Sequence, residues 1–383
     1  MPNPFREFEI VREGDPSGNR MIVRLVTPGG KTVHAIAVPQ DSSTRTGPTW
    51  AYLFENEGLT LIDAGAVGSY PALAEGIEAV GYSVTDLSRV IVTHGHQDHD
   101  GAIGQLQQTS NVQLWAHGIY PHLQQYDPRD IQRRPASPLQ REMDRVGREN
   151  TEPSSPDGQA EREVYRSRHH HYVEGRRAYR VGHGITDGER IGDLTFMSAP
   201  GHSPDELCVR MDGVVFTGDH VLPEITPHPT TKARYEPRVS DGLPAEYRNE
   251  DDYYGLERYL RSLKLVTDLG PDVVVLPAHR LYNRSTFNFE TTPRAQDVID
   301  HHADRLARIV RRIGPGPTRL EDLTRGIFAR SKLVGGNLYA ALSEVVAHIE
   351  LLQDTGDVRL DDANRLRATG SENHRVLIAE VSV

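Results

Sequence analysis

This sequence predicts an α/β fold of stacked strands and helices, on three observations. Short β-prone runs come in pairs around Gly-bearing turns over residues 21–62. A helix-spaced segment follows from Pro71 to Val80 and stops at Gly81. Beyond it, the apolar run Val90-Ile91-Val92 ends at a stretch that places three histidines and an aspartate between His94 and His99.

Each element can be justified in order. Met21-Ile22-Val23-Arg24-Leu25-Val26 and Thr32-Val33-His34-Ala35-Ile36-Ala37-Val38 read as a hairpin around Pro28-Gly29-Gly30. Trp50-Ala51-Tyr52-Leu53-Phe54 and Leu59-Thr60-Leu61-Ile62 form a second pair around Asn56-Glu57-Gly58. Val90-Ile91-Val92 has the character of a buried strand. The cluster after it therefore sits past a strand's carboxyl end, where open sheets place their sites. Residues 120–190 break this rhythm, and Thr151 to Gly158 reads as a loop. A solvated insertion and a lid both fit that segment.

Residues 296–383 read as a separate module. Val298 to Ile313 predicts an amphipathic helix, stopped by Gly314-Pro315-Gly316-Pro317. A short helix from Leu320 to Arg330 and a longer one from Asn337 to Gln353 follow, the latter ending at Thr355-Gly356. Val358-Arg359-Leu360 and Val376-Leu377-Ile378-Ala379 read as strands of a wing.

A chain of 383 residues has room for two domains. Hydrophobic content of 37% with 25% charged residues fits a globular, somewhat polar protein. No apolar run approaches the ~20 residues of a membrane helix, and the first residues lack the apolar core of a secretory signal. The single cysteine, Cys208, excludes an internal disulfide. A cytoplasmic location is the simplest reading. Net charge of -11 gives no general reason to expect a nucleic-acid partner. The segment from Asn337 to Asp354 carries Glu344, Glu350 and Asp354 and no Lys or Arg, so as a recognition helix it would repel phosphates. Packing or dimerisation suits it better. The expected partner is a small-molecule substrate, with no membrane, and a homodimer is left open.

The run Thr93-His94-Gly95-His96-Gln97-Asp98-His99 carries the chemistry. Side chains of this kind need partners when buried, and a divalent ion is one that serves several at once. Four further segments follow the same logic: Leu61-Ile62-Asp63-Ala64-Gly65, Ala199-Pro200-Gly201-His202-Ser203-Pro204, Phe216-Thr217-Gly218-Asp219 and Val275-Leu276-Pro277-Ala278-His279. In this order the five resemble the motifs of the metallo-β-lactamase-fold hydrolases, over roughly residues 20 to 290.

The resemblance implies a four-layer αββα sandwich as the catalytic domain over 1–295, with 120–190 as its insertion, and a small helical, winged-helix-like domain over 296–383. The tail's element order is similar to that of a branch with RNA-cleaving and polyketide thioesterase members. It also implies two divalent ions sharing a hydroxide. His94, His96 and His202 would hold the first, Asp98, His99 and His279 the second, and Asp219 would bridge them. Zinc is the default for such N/O donors, with manganese or iron left open. Asp98 would orient the nucleophile. Asp63 would accept the N–H of a ligand histidine, or else be a turn residue.

Departures from the pattern also inform. Asp219 stands where the lactamases with a cysteine ligand have that cysteine, and Cys208 lies outside every motif. Arg280 could meet an anionic group or solvent. His220, directly after Asp219, is a candidate for substrate contact or a packed strand-end residue. Tyr282 is a candidate oxyanion stabiliser, by likeness to lactonases of the family, or a packed aromatic. His169-His170-His171 reads as surface or lid packing, His117 and His183 as structural, and His301-His302 as solvated. The expected function is a dinuclear hydrolase of a thioester, ester or lactone; a metal-dependent endoribonuclease or a β-lactam hydrolase is the alternative. Segments 120–190 and 221–250 would set specificity.

Overall fold

The computed structural model describes residues 3–40, 46–128, 131, 135–151, 156–314, 316–333 and 337–382. The chain forms two compact units. One comprises Met1–Tyr126, His170–Pro227 and Leu265–Ala295, the other Asp127–His169, His228–Lys264 and Gln296–Val383. The sequence reading put all of 1–295 in one domain, whereas 127–169 and 228–264 belong to the unit that contains 296–383.

In the first unit, one sheet carries eight strands in sequence order: Glu7–Arg12, Ile22–Val26, Thr32–Val38, Thr49–Glu55, Leu59–Ile62, Leu87–Ile91, Gln113–His117 and Val181–Ile185. The two hairpins expected from the sequence are its second to fifth strands. From Leu59–Ile62 onward neighbours are parallel. Parallel neighbours need crossovers, and the helices Tyr70–Ala79 and Ile103–Thr109 supply the first two. The third crossover is the long segment between His117 and Val181, which contains the insertion.

The second sheet has six short strands, in the order Glu290–Thr291, Val274–Pro277, Val214–Gly218, Leu207–Met211, Leu194–Ser198 and Arg190–Ile191. The two sheets share a core. Val23, Leu25 and Ala35 of the first are in one apolar cluster with Phe196, Val209, Phe216 and Leu276 of the second. Phe54 stacks on Phe216 with centroids 5.4 Å apart and an interplanar angle of 10°. Ile22, Ile36 and Leu53 point the other way, into a cluster with Leu73, Ile77 and Leu106 of the crossover helices. Burial on both faces explains why strands such as Leu59–Ile62 are apolar throughout rather than alternating. Each large side chain buried this way contributes about 1.5–3 kcal/mol. Cys208 is fully buried on Leu207–Met211, paired across the sheet with Met197.

The second unit is helical. Asn337–Asp354 buries Leu342, Val345, Val346, Ile349 and Leu352, and its Tyr339 hydroxyl donates to Asp144 of Pro138–Thr151 at 3.1 Å. Glu350 is buried and accepts hydrogen bonds from Gln140 Nε2 (2.7 Å) and the Lys232 amide (2.8 Å). Helices reach Thr151 and restart at Pro156, so much of the expected loop from Thr151 to Gly158 is helical, and 152–155 lie outside the described residues.

The tail differs from the expected wing. Val358–Leu360 pairs with Leu366–Ala368, not with the run at 376–379. That run is part of a helix, His374–Val381, with Leu377 and Val381 buried and Val376 exposed. Two causes act together. The spacing of Leu377 and Val381 is helical, and Asp357 accepts the amides of Asn373 and His374, each at 2.7 Å, as a cap does. Among the described residues no helix is long and apolar enough to cross a membrane.

Candidate metal centre

The site forms where strand ends from both sheets of the first unit converge. Leu59–Ile62 delivers Asp63, and Leu87–Ile91 delivers Thr93 to His99. In the second sheet Val214–Gly218 delivers Asp219, Val274–Pro277 delivers His279, and the turn between Leu194–Ser198 and Leu207–Met211 carries His202. Backbone bonds join these ends: Leu207 N to Thr93 O at 2.8 Å, Ala278 N to Gly218 O at 3.0 Å, and Trp50 N to Ala278 O at 2.8 Å. Gly218 has φ 51°. A Cβ there would come within 2.5 Å of Glu206 Oε1 and 2.7 Å of Thr93 Oγ1. Only glycine lets the strand turn this tightly against both.

The seven donors named from the sequence come together. His94, His96 and His202 form one group close enough to share an ion, Asp98, His99 and His279 another, and His94, His99 and Asp219 a third. His94 Nε2 lies 2.9 Å from His96 Nδ1. Asp219 reaches members of both triads, at 3.7 Å from His202 Nε2, 3.4 Å from His279 Nε2 and 3.6 Å from His99 Nε2. His279 donates Nδ1–H to Pro48 O at 2.9 Å, which leaves Nε2 with the lone pair. Asp63 Oδ2 lies 2.8 Å from His99 Nδ1 and has the same effect on that ring.

The buried atoms that remain test whether a cation fits. His99 Nε2, His279 Nε2 and Asp219 Oδ1 have no hydrogen-bond partner. Each such atom costs about 1–3 kcal/mol when left unpaired. One divalent ion satisfies all three, so the donor set fits.

The electrostatics agree. Burial pushes His94 well below the ordinary imidazole value, and the rings of His99, His96 and His202 add to it. Burial, then His202, brings His96 down to about 4. These rings are neutral near pH 7, as ligands must be. Burial opposes charge on His99 and His279 too, but Asp63, Asp98 and Asp219 outweigh it on His99, and Asp219 and Asp98 on His279, and raise both rings; the carboxylates favour positive charge at this spot, which a divalent ion would supply in place of the ring proton. Burial would raise Asp98 and Asp219. Instead His99 and His279 hold both well below the carboxylate range.

Several partners escaped the sequence reading. Gln40 Nε2 donates to Asp98 Oδ2 at 3.1 Å, and Thr49 Oγ1 to Asp98 O at 2.9 Å. Glu206, fully buried, lies 3.4 Å from His94 Nδ1 and accepts the Asp219 amide at 3.2 Å. Burial, with Asp219 beside it, raises its carboxyl. The signal was present: Asp205-Glu206 places two carboxylates directly before the apolar run Leu207-Cys208-Val209. Asp100 is buried, accepts from Tyr120 and Tyr172 at 2.8 Å each, and is pushed up to about 6 by burial against the opposing pull of Arg176.

The remaining candidates are placed as follows. His220 is fully buried. The Tyr282 ring packs edge-on against Phe287 at 4.7 Å, and its hydroxyl makes no hydrogen bond to the seven donors. Arg280 lies 3.8 Å from Glu224. His169 is buried against Asp127 at 3.1 Å, while His170 and His171 are exposed.

His302 is not solvated. It is fully buried on the inward stripe of Pro293–Ile313, with Val298, Ile299, Leu306 and Ile309. Its Nδ1 lies 3.0 Å from His348 Nε2, and with Glu344 these rings make a fourth group of donors in the second unit. There the Arg305 guanidinium already pairs with Glu344. An entering cation would meet that charge, so the group reads as a buried polar network.

Comparison with known proteins agrees with this geometry. The sequence profile of the Metallo-beta-lactamase superfamily matches residues 44–279. An uncharacterized protein of Bacillus subtilis (strain 168), YobT, is 27% identical over 175 residues, 45% of this chain, and the chain spans only 61% of that relative's length. The probable metallo-hydrolase YqjP of the same organism is 23% identical over 333 residues, 84% of this chain and 93% of the relative. Two solved structures share the fold. A metallo-beta-lactamase family protein from Thermus thermophilus aligns with TM-score 0.60 at 20% identity, over 88% of this chain and 98% of its own. A beta-lactamase domain protein from Burkholderia ambifaria aligns with TM-score 0.61 at 22% identity, over 90% and 92%.

Proposed function

The chain belongs to the metallo-beta-lactamase superfamily, and we propose that it is a metal-dependent hydrolase that cleaves a small carbonyl substrate, a thioester, ester or lactone, at a centre of two divalent ions. His94, His96 and His202 would hold one ion and Asp98, His99 and His279 the other, with Asp219 shared. The observation that carries this reading is the complete donor set with His99 Nε2, His279 Nε2 and Asp219 Oδ1 buried and unpaired. Two such ions supply an activated water near neutral pH and polarise the carbonyl oxygen. Zinc suits the donors, and manganese or iron would as well.

The chain's own residues do the rest. Gln40 fixes Asp98 through Oδ2, which leaves Oδ1 to orient the attacking water and take its proton. Glu206 and Thr93 steady His94 through Nδ1, so its Nε2 stays aimed at the other donors.

A nuclease is disfavoured by net charge of -11 and by Asn337–Asp354, a helix without Lys or Arg that is largely buried in the second unit. The test is turnover of an acyl thioester, a lactone, a β-lactam and single-stranded RNA by metal-loaded protein, with Asp98→Ala as control. Thioester, ester or lactone cleavage lost in the variant is the expected result. Cleavage of RNA or β-lactam alone would overturn the substrate class, and activity retained in a metal-verified Asp98→Ala protein would overturn the mechanism.

A further inference from the structure

Gly95, between His94 and His96, is gripped from both sides. Its amide donates to Asp205 Oδ2 at 2.8 Å, and its carbonyl lies 3.2 Å from the Tyr172 hydroxyl, whose one proton it shares with Asp100. The same Tyr172 hydroxyl lies 2.8 Å from Asp100 Oδ1, and Tyr120 donates to Asp100 Oδ2 at 2.8 Å. Arg176 completes the group. Its Nη2 lies 3.8 Å from Asp100 Oδ2, and its guanidinium sits 5.4 Å and 5.5 Å from the ring centroids of Tyr120 and Tyr172. Asp100, Asp205, Tyr120, Tyr172 and Arg176 are all buried. A Cβ on Gly95 would come 2.6 Å from Arg176 Nη2 and 3.0 Å from Asp205 Oδ2.

Asp205 also accepts from Ser203, the neighbour of His202. The cluster thus joins the loop of His94 and His96 to the turn of His202, and both to the last residues of the helix Pro156–Arg176. Burying two carboxylates and a guanidinium is costly unless each is paired; here Asp205 takes the Gly95 amide, while Asp100 is paired with Arg176 and with the two tyrosines, one of which borders the Gly95 carbonyl. A surface insertion would not need such an anchor.

We propose that Tyr172 and Arg176 are positioning residues, which with Asp100 and Asp205 hold the Gly95 peptide and so fix His94 and His96 against His202. The end of the insertion's helix is then part of the metal centre's support, not a bystander. None of these side chains is among the seven donors, so they act through them. Because Gly95 and Ser203 adjoin His94, His96 and His202, while only Asp100 adjoins His99, loss of Tyr172 or Arg176 should weaken the ion held by the first triad and leave the ion held by Asp98, His99 and His279 near its wild-type affinity. This inference rests on the two-ion reading above.

The experiment is cobalt(II) titration of metal-stripped full-length protein, followed by absorption spectrum and chelator competition. Wild type should bind two ions. Tyr172→Phe removes one hydroxyl and keeps the ring, so it preserves packing; Arg176→Gln removes the buried charge, and Arg176→Lys restores it without the planar fork. One ion should bind as in wild type, and the other about 10- to 100-fold more weakly, in Tyr172→Phe and Arg176→Gln, with partial recovery in Arg176→Lys. Two ions bound with wild-type affinities by folded Tyr172→Phe would overturn the brace while leaving the two-ion reading intact. Equal weakening of both ions would also overturn it, as the mark of general loosening. Wild type that binds no cobalt would remove the two-ion reading and the brace with it.

Discussion

Oδ2 of Asp63 lies 2.8 Å from Nδ1 of His99, and this contact decides which nitrogen of His99 faces the other donors. Asp63 holds φ 59°, steadied by the amide and hydroxyl of Thr93. Asparagine tolerates that backbone conformation, so Asp63→Asn should fold. Its amide can still accept one bond but carries no charge to fix the ring. Affinity for the ion held by Asp98, His99 and His279 is expected to fall about 10- to 100-fold. Competition with a chromogenic chelator checks this, and unchanged affinity would refute it.

Removal of ions should cost stability as well as activity. Ligand-linked stabilisation amounts to about 2.7 kcal/mol when the free ion stands at a hundred times its dissociation constant. Chelator-treated protein should therefore melt several degrees lower than reloaded protein, and reloading should restore the transition. A melting temperature indifferent to chelator would argue against the seven-donor site.

Gly218→Ala should be more damaging than most single methyl additions. The new Cβ would press on Glu206 and Thr93, both buried, at a residue with φ 51°. Overpacking of this kind costs about 1–3 kcal/mol. The loss should appear in denaturant unfolding, together with weaker ion binding, because Asp219 is the next residue.

Glu350 predicts a pH dependence in the second unit. Burial raises its carboxyl from 4.5 to about 7, against the hydrogen bonds of Lys232, Gln140 and Ser137. A raised acid holds its proton more tightly in the folded chain. Its stabilising contribution is thus full below 4.5 and is lost as pH rises from 4.5 to about 7. The change is about 3 kcal/mol at 1.4 kcal/mol per unit. Urea midpoints measured from pH 4.5 to 8 should decline across that window in wild type and stay flatter in Glu350→Gln. The same slope in both proteins would refute the assignment.

Asp357→Ala should fray the last helix. It removes the acceptor of the Asn373 and His374 amides and of His374 Nδ1 at 2.8 Å. A lost cap of this type costs about 1 kcal/mol. Hydrogen exchange of His374–Val381 should quicken while that of Asn337–Asp354 is unchanged.

What the sequence disclosed was short-range. Strand pairs such as Thr49–Glu55 with Leu59–Ile62 lie within a few residues of each other, and their apolar runs and Gly-bearing turn declare them. The seven candidate donors were legible because they fall in four compact motifs, four of them in the single run His94 to His99. What stayed hidden was long-range. Gln40 meets Asp98, Tyr172 meets Gly95 and Glu206 meets His94 across intervals that no local spacing encodes. Val376 to Ala379 misled for the same reason: its apolar run suits a strand, and the Asp357 carboxylate that caps it as a helix lies 17 residues from His374. Likewise nothing local marks 127–169 as belonging with the tail.

Cys208 turns its place in the second sheet into a chemical clock. It is the chain's only thiol, fully buried two residues beyond the Glu206 that adjoins His94, and burial also raises its pKa well above the ordinary thiol value. A thiolate is what reacts, and here it is both shielded and scarce. Modification by a disulfide reagent must then wait for the first unit to open, and every molecule that reacts records one opening. Ions bound across the strand ends would lengthen that waiting time, so the labelling rate of unaltered protein can report occupancy of the centre without any substrate being known.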